Sequence, residues 1–157
     1  MHADLSAYIS FTGCAREALE YYHSVFGGHL DLETFAAWNL PAPSGREEDI
    51  VYGVLRTDDG FVLRGTDRPL STSETAPTAQ PESSPAPTSA GTRAVPGLDW
   101  ALCLNGEERE RLTACWHGLE PGAENVEPLT ESPWGDLNGV LVDRFGVRWI
   151  FNIGASN

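Results

Sequence analysis

Residues 53 to 66 read GVLRTDDGFVLRGT, and residues 139 to 152 read GVLVDRFGVRWIFN. Each is Gly-Val-Leu, a polar turn, a second Gly seven residues after the first, and a further apolar run. Two apolar runs joined by a short Asp- and Gly-containing turn form the pattern of a β-hairpin. A chain that carries this hairpin twice, at matching places in its two halves, is constrained to build one module twice.

The order of elements around each hairpin agrees. In the first half AYISF alternates as a strand, and Ala15, Ala18, Leu19, Tyr22, Val25 and Phe26 recur at helical spacing until Gly27-Gly28 stops the helix. HLDLETF is a second strand, and IVYGVLRT with GFVLRGT forms the hairpin around Asp58, Asp59 and Gly60. In the second half LDWALCL is a strand, and Asn105 with Glu108 forms a capping pair for a helix. That helix has Leu112, Cys115, Trp116 and Leu119 on its apolar face, with Gly118 and then Pro121-Gly122 closing it. NVEPLTE, NGVLVD and GVRWIFN supply three more strands. The pattern predicts βαβββ twice, with Gly13 matching Gly106 and the Gly53 hairpin matching the Gly139 hairpin.

Four strands and one helix do not close a core by themselves, so each module must bury its sheet against something else. The expected fold class is α+β: two βαβββ modules forming facing curved sheets, with the helices outside. We read residues 1–157 as a single domain, with modules at 1–67 and 98–157. The stretch 68–97 between them is a connector whose centre, 71–95, is almost wholly Ser, Thr, Pro, Ala and Glu. Such a composition does not bury enough surface to offset its ordering entropy and is expected to be disordered. A role as a lid is left open.

Composition narrows the partners. Ten basic and 23 acidic residues give a formal charge of −13, which repels a phosphate backbone and argues against nucleic acid. No apolar run is long enough to span a bilayer, and MHADLSAYISF lacks the pattern of a secretory leader, so a cytoplasmic location is expected. Cys14, Cys103 and Cys115 contain no C-x-x-C pair and are expected to be reduced core thiols.

YISFTGCAREALEYYHSVFGG near the start and WGDLNGVLVDRFGVRWIFN at the end resemble the PhnB-like branch of the vicinal oxygen chelate (glyoxalase, bleomycin resistance and dioxygenase) superfamily. The resemblance implies paired βαβββ modules, a homodimer, and a small-molecule cavity in each curved sheet. Some relatives are named as demethylubiquinone methyltransferases, but this chain has no glycine-rich cofactor loop. In metal-using members a divalent ion is held by His and Glu from the first and last strands of each module. The His positions fall here on Ala7 and on Trp100 or its neighbour Asp99, and the carboxylate positions on Arg64 and Ile150. Ala, Trp, Arg and Ile offer no lone pair to a metal at neutral pH. His23, His29 and His117 are expected at the surface, and His2 near a frayed end, so no metal and no cofactor is expected. A non-standard contribution from His2 or Asp99 is left open.

The ligand-binding candidates are Tyr52, Arg64, Trp100, Trp134, Arg148 and Asn152. Tyr52 stands where PhnB-like relatives often have a histidine. Strand alternation puts Arg148, Ile150 and Asn152 on the cavity face, opposite Val147, Trp149 and Phe151. By the repeat, Val62, Arg64 and Thr66 line the corresponding face, and Ile9, Phe11, Trp100 and Leu102 are expected to look inward. Trp134 is expected to anchor a loop at the rim, and Asp143 to hold its hairpin turn through backbone amides. The expected function is capture of a small amphipathic molecule without a metal, with catalysis undecided. The alternatives are a metal-dependent lyase, isomerase or dioxygenase, and bleomycin-resistance-like sequestration of a drug.

Overall fold

A computed structural model of the chain describes residues 5–42, 45–68 and 100–154. The elements follow the expected order: β1 (Ala7–Ser10), α1 (Ala15–Phe26), β2 (His29–Thr34), β3 (Ile50–Arg56), β4 (Val62–Thr66), β5 (Leu102–Gly106), α2 (Arg109–Leu119), β6 (Glu124–Glu131), β7 (Leu137–Val142) and β8 (Arg148–Ile153). The strands form two four-stranded mixed sheets with identical topology, β1-β4-β3-β2 and β5-β8-β7-β6. In each, the first strand runs parallel to the last and the other pairs are antiparallel. The expected connector falls mostly on 69–99, outside the described residues, as do His2 and Asp99.

The two hairpin turns agree bond for bond. The amide of Thr57 donates to the carbonyl of Phe61 at 3.0 Å, and that of Gly60 donates to Thr57 at 3.0 Å; Asp143 and Val147, and Gly146 and Asp143, repeat this at 2.9 and 2.8 Å. Gly60 and Gly146 hold φ of +87° and +82°, a region that costs glycine little and other residues more. The first glycine of each motif has a different task. A Cβ at Gly53 would collide with Leu19 of α1, and one at Gly139 would meet the Trp116 ring of α2 at 2.8 Å and the Leu129 Cα at 3.0 Å. The missing side chains leave sockets for Leu19 of α1 and Trp116 of α2.

The described residues group into two compact units, one drawing on 5–20 and 29–68, the other on 21–28 and 100–154. In the first, Leu19 packs on Gly53 and Gly65, and the Asp67 carboxylate ties helix to sheet by accepting from the amides of Ala15 and Ile50, both at 3.0 Å. In the second, Tyr22 and Phe26 stack on Trp149 at 5.6 and 5.3 Å between ring centres, and Trp116 meets Phe151 edge-on at 5.3 Å. The second half of α1 thus belongs to the core of the later sheet.

Three local expectations are corrected. Asn105 lies in β5 and caps nothing; α2 begins at Arg109, after Glu108, with no side-chain cap bond. Gly118 lies inside α2, where its bare Cα leaves room for Val25. Gly13 and Gly106, matched in sequence, act differently: Gly13 adopts φ of +78°, whereas Gly106 is strand backbone that clears Leu112.

Candidate functional site

Each sheet has one face packed on helix and one open face, and the register shows which residues share them. On the first sheet Arg64 of β4 neighbours Tyr8 of β1 and Val54 of β3. Its Nε donates to the Tyr52 hydroxyl at 3.1 Å, and Nη1 donates to the Ser6 hydroxyl. Trp38, from the segment after β2, stacks on Tyr52 at 6.1 Å with its ring half exposed, and Tyr8 is 43% exposed. Tyr52 and Arg64 are therefore brought together, as a guanidinium steered by a phenol and a hydroxyl, with Tyr8 as its register neighbour on β1 and Trp38 against the Tyr52 ring. A guanidinium held in this way is a fixed positive charge of the kind that pairs with a carboxylate or phosphate.

On the second sheet Arg148, Ile150 and Asn152 alternate with the buried Trp149, Phe151 and Ile153, as expected. The Asn152 amide donates to the Asn105 carbonyl oxygen at 2.9 Å and approaches the Cys103 sulfur at 3.5 Å. Trp100 precedes β5 and is 42% exposed. Trp134 sits in the β6–β7 turn, where the Gly135 amide donates to the Ser132 carbonyl at 2.9 Å, and is 72% exposed.

The expectation for the first strand of each module is reversed. Ile9 is the register partner of Gly65, and Phe11 lies 3.0 Å from where a Gly65 Cβ would stand, so both lie on the helix side. Leu102 likewise partners Trp149, while Cys103 and Asn105 share the open face with Ile150 and Asn152. A slip of one residue in phase moves a whole strand to the other face. Apolar residues occur at both parities in β1 and β5, so the alternation there does not choose.

Asp143 is buried and does more than hold its turn. One oxygen accepts from the amides of Phe145 and Val147 at 2.9 and 3.0 Å; the other accepts from the Tyr22 hydroxyl at 2.6 Å and the Trp149 indole at 2.8 Å. This leaves the carboxylate saturated and structural. The described histidines are also engaged: His23 with the Gly28 carbonyl at 3.1 Å, His29 with Asp31 at 2.9 Å and His117 with Glu120 at 2.7 Å.

The metal positions implied by the resemblance do not fit a divalent ion. Arg64 is itself a cation, the Ile150 and Ala7 side chains have no ligating atom, and Trp100 is only a hydrogen-bond donor; Asp99, the alternative to Trp100, lies outside the described residues. Among the described residues no group of three or more His, Cys, Asp or Glu comes together to hold a metal. Cys14, Cys103 and Cys115 form no disulfide, and the expectation that all three are core residues is corrected: Cys115 is buried, Cys14 is half-buried and Cys103 lies exposed on the open face of β5.

Sequence reasoning missed Ser6, Tyr8, Trp38, Asn105 and Asn138 as open-face groups. The signal for Asn138 was present, since a hairpin centred on Asp143–Gly146 sets it opposite Asn152. No periodic signal marks Trp38, which lies between strands.

Two βαβββ sheets of this topology define the glyoxalase/bleomycin resistance/dioxygenase fold. A crystal structure of a Pseudomonas aeruginosa protein covers 99% of this chain and 100% of its own, with a TM-score of 0.69 and 23% identity. The PhnB protein of Bacillus cereus, named as a 3-demethylubiquinone-9 3-methyltransferase, covers 97% and 100%, with a TM-score of 0.62 and 17% identity. A glyoxalase/bleomycin resistance protein/dioxygenase superfamily member from Sphaerobacter thermophilus covers 97% and 98%, at 0.50 and 11%. No protein-family model matches the chain, and no curated protein matches it in sequence. The resemblance carried by the two sequence motifs holds at the level of the fold.

Proposed function

We propose that the protein is a PhnB-like small-molecule binder that captures an amphipathic, anion-bearing compound on the open faces of its sheets without a bound metal. The observation that carries this reading is the Arg64 guanidinium, oriented by Tyr52 and Ser6 beside the exposed rings of Tyr8 and Trp38. An aromatic carboxylate matches both halves of that surface, its ring the aromatic groups and its anion the positive charge of Arg64. On the second sheet, Arg148 and Asn152 extend the same chemistry, with Trp100 and Trp134 as accessible aromatic groups.

A thermal-shift screen of aromatic carboxylates against their neutral amides tests this. Stabilisation by the acids, lost in Arg64→Met, is the expected result; equal response to acids and amides overturns it. The protein is also taken to act in the cytoplasm, where cysteines stay reduced. It is further taken to be a homodimer: light scattering should read about twice the 17.0 kDa chain mass, and a value of one chain mass refutes the dimer.

A further inference from the structure

Two of the Arg64 donors are committed within the first sheet, Nε to the Tyr52 hydroxyl at 3.1 Å and Nη1 to the Ser6 hydroxyl. A guanidinium has no lone pair to offer, so both oxygens act as acceptors in these bonds and each keeps its own proton for another partner. Among the described residues neither the Tyr52 nor the Ser6 hydroxyl donates to an acceptor. Both side chains are half-buried, so solvent or a ligand reaches them. Tyr52 lies in β3 and Ser6 directly precedes β1, the strands on the two sides of β4, so the hydroxyls approach the guanidinium from opposite neighbours. A hydroxyl that accepts from a cation has its O–H bond polarised and donates more strongly in turn.

The charges around this pair limit what it can receive. On the same face Arg56 and Asp31 neutralise each other at 3.0 Å, and Glu33, the register partner of Tyr52, is an exposed carboxylate. One guanidinium therefore faces one carboxylate beside Tyr52, in a chain whose formal charge is −13. A carboxylate brings one negative charge to this setting, whereas a phosphate monoester brings about −1.5 to −2 at pH 7 and is repelled more strongly.

We infer that the Tyr52 and Ser6 hydroxyls are the groups that touch the ligand's anion, with Arg64 as the positioning residue behind them, and that the ligand class is a carboxylate monoanion and not a phosphate ester. This rests on the function proposed above and assigns its direct contacts.

The probes are benzoate, phenyl phosphate and benzamide, titrated calorimetrically into the full chain at neutral pH. Benzoate is expected to bind more tightly than either of the others. Tyr52→Phe, which keeps the ring against Trp38, and Ser6→Ala should each weaken benzoate about tenfold, the loss of one hydrogen bond to a charged group. Arg64→Lys keeps the positive charge but loses the fork that holds both hydroxyls. It should weaken benzoate in the wild-type background and have little further effect in the Tyr52→Phe, Ser6→Ala double variant. Thermal unfolding close to the wild-type temperature shows that each variant folds. Benzoate binding that is unchanged in both hydroxyl variants, phenyl phosphate binding as tight as benzoate, or an Arg64→Lys effect undiminished in the double variant overturns this inference and leaves the proposed function standing. Equal binding of benzoate and benzamide to the wild type overturns both.

Discussion

At the scale of single residues, the strongest contribution comes from groups that close polar accounts inside apolar surroundings. Asp143 accepts four hydrogen bonds while only 4% exposed. Asp143→Ala should lower the unfolding free energy by about 3 to 5 kcal/mol, because it strands a hydroxyl, an indole and two amides. Tyr22→Phe removes one partner and should cost about 1 to 2 kcal/mol; urea unfolding of both variants checks the order. Gly139→Ala is a steric test. Its methyl group would meet Trp116 and the Leu129 backbone at 3.0 Å or less, so about 1 to 3 kcal/mol should be lost. Thermal unfolding that matches the wild type would show that α2 does not seat Trp116 there.

At the scale of elements, helix ends decide more than helix faces. Glu120 terminates α2, accepting from the Trp116 indole at 2.9 Å and pairing with His117 at 2.7 Å. The His117 hydrogen bond is the largest influence, followed by a smaller opposing desolvation and further hydrogen bonds, and the net effect holds the Glu120 carboxyl below the ordinary glutamate range. A depressed folded value means that this contribution is present above the ordinary glutamate range and is lost as pH falls through the lower folded value. Unfolding measured against pH should therefore show wild type and Glu120→Gln separated at neutral pH and converging in acid. A constant separation would refute the coupling. Both helix faces were legible from 3.6-residue spacing, and the buried set Leu112, Cys115, Trp116 and Leu119 is the expected one. The start of α2 was not: Asn105 has the chemistry of a cap, but its strand pairing with Asn152 claims the side chain.

At the scale of the whole molecule, charge and donor chemistry set the behaviour. With a formal charge of −13, like-charge repulsion opposes the compact state, and added salt screens it over about 10 Å at 0.1 M. The melting temperature should rise between low and moderate sodium chloride, and a fall would show that attractive surface pairs dominate. The implied metal positions hold Ala, Arg, Ile and Trp or its neighbour Asp99, and one carboxylate alone does not hold a divalent ion, so dialysis against a chelator should leave the melting temperature unchanged. Elemental analysis that finds about one Zn, Ni, Mn or Fe per chain would contradict the metal-free reading.

The duplicated element order, the two hairpins and the glycines at their turns were decided by the sequence itself, because each depends on a few neighbouring residues: φ limits at Gly60 and Gly146, alternation along β8, helical spacing along α1 and α2. The tertiary structure decided the rest. It put Tyr8 and not Ile9 beside Arg64, lined up Asn105, Asn152 and Asn138, and joined Tyr22 to an aspartate 121 residues away. Strand register and long-range partners follow from how sheets and helices close on one another, and local periodicity does not encode that closure where apolar residues occupy both faces of a strand.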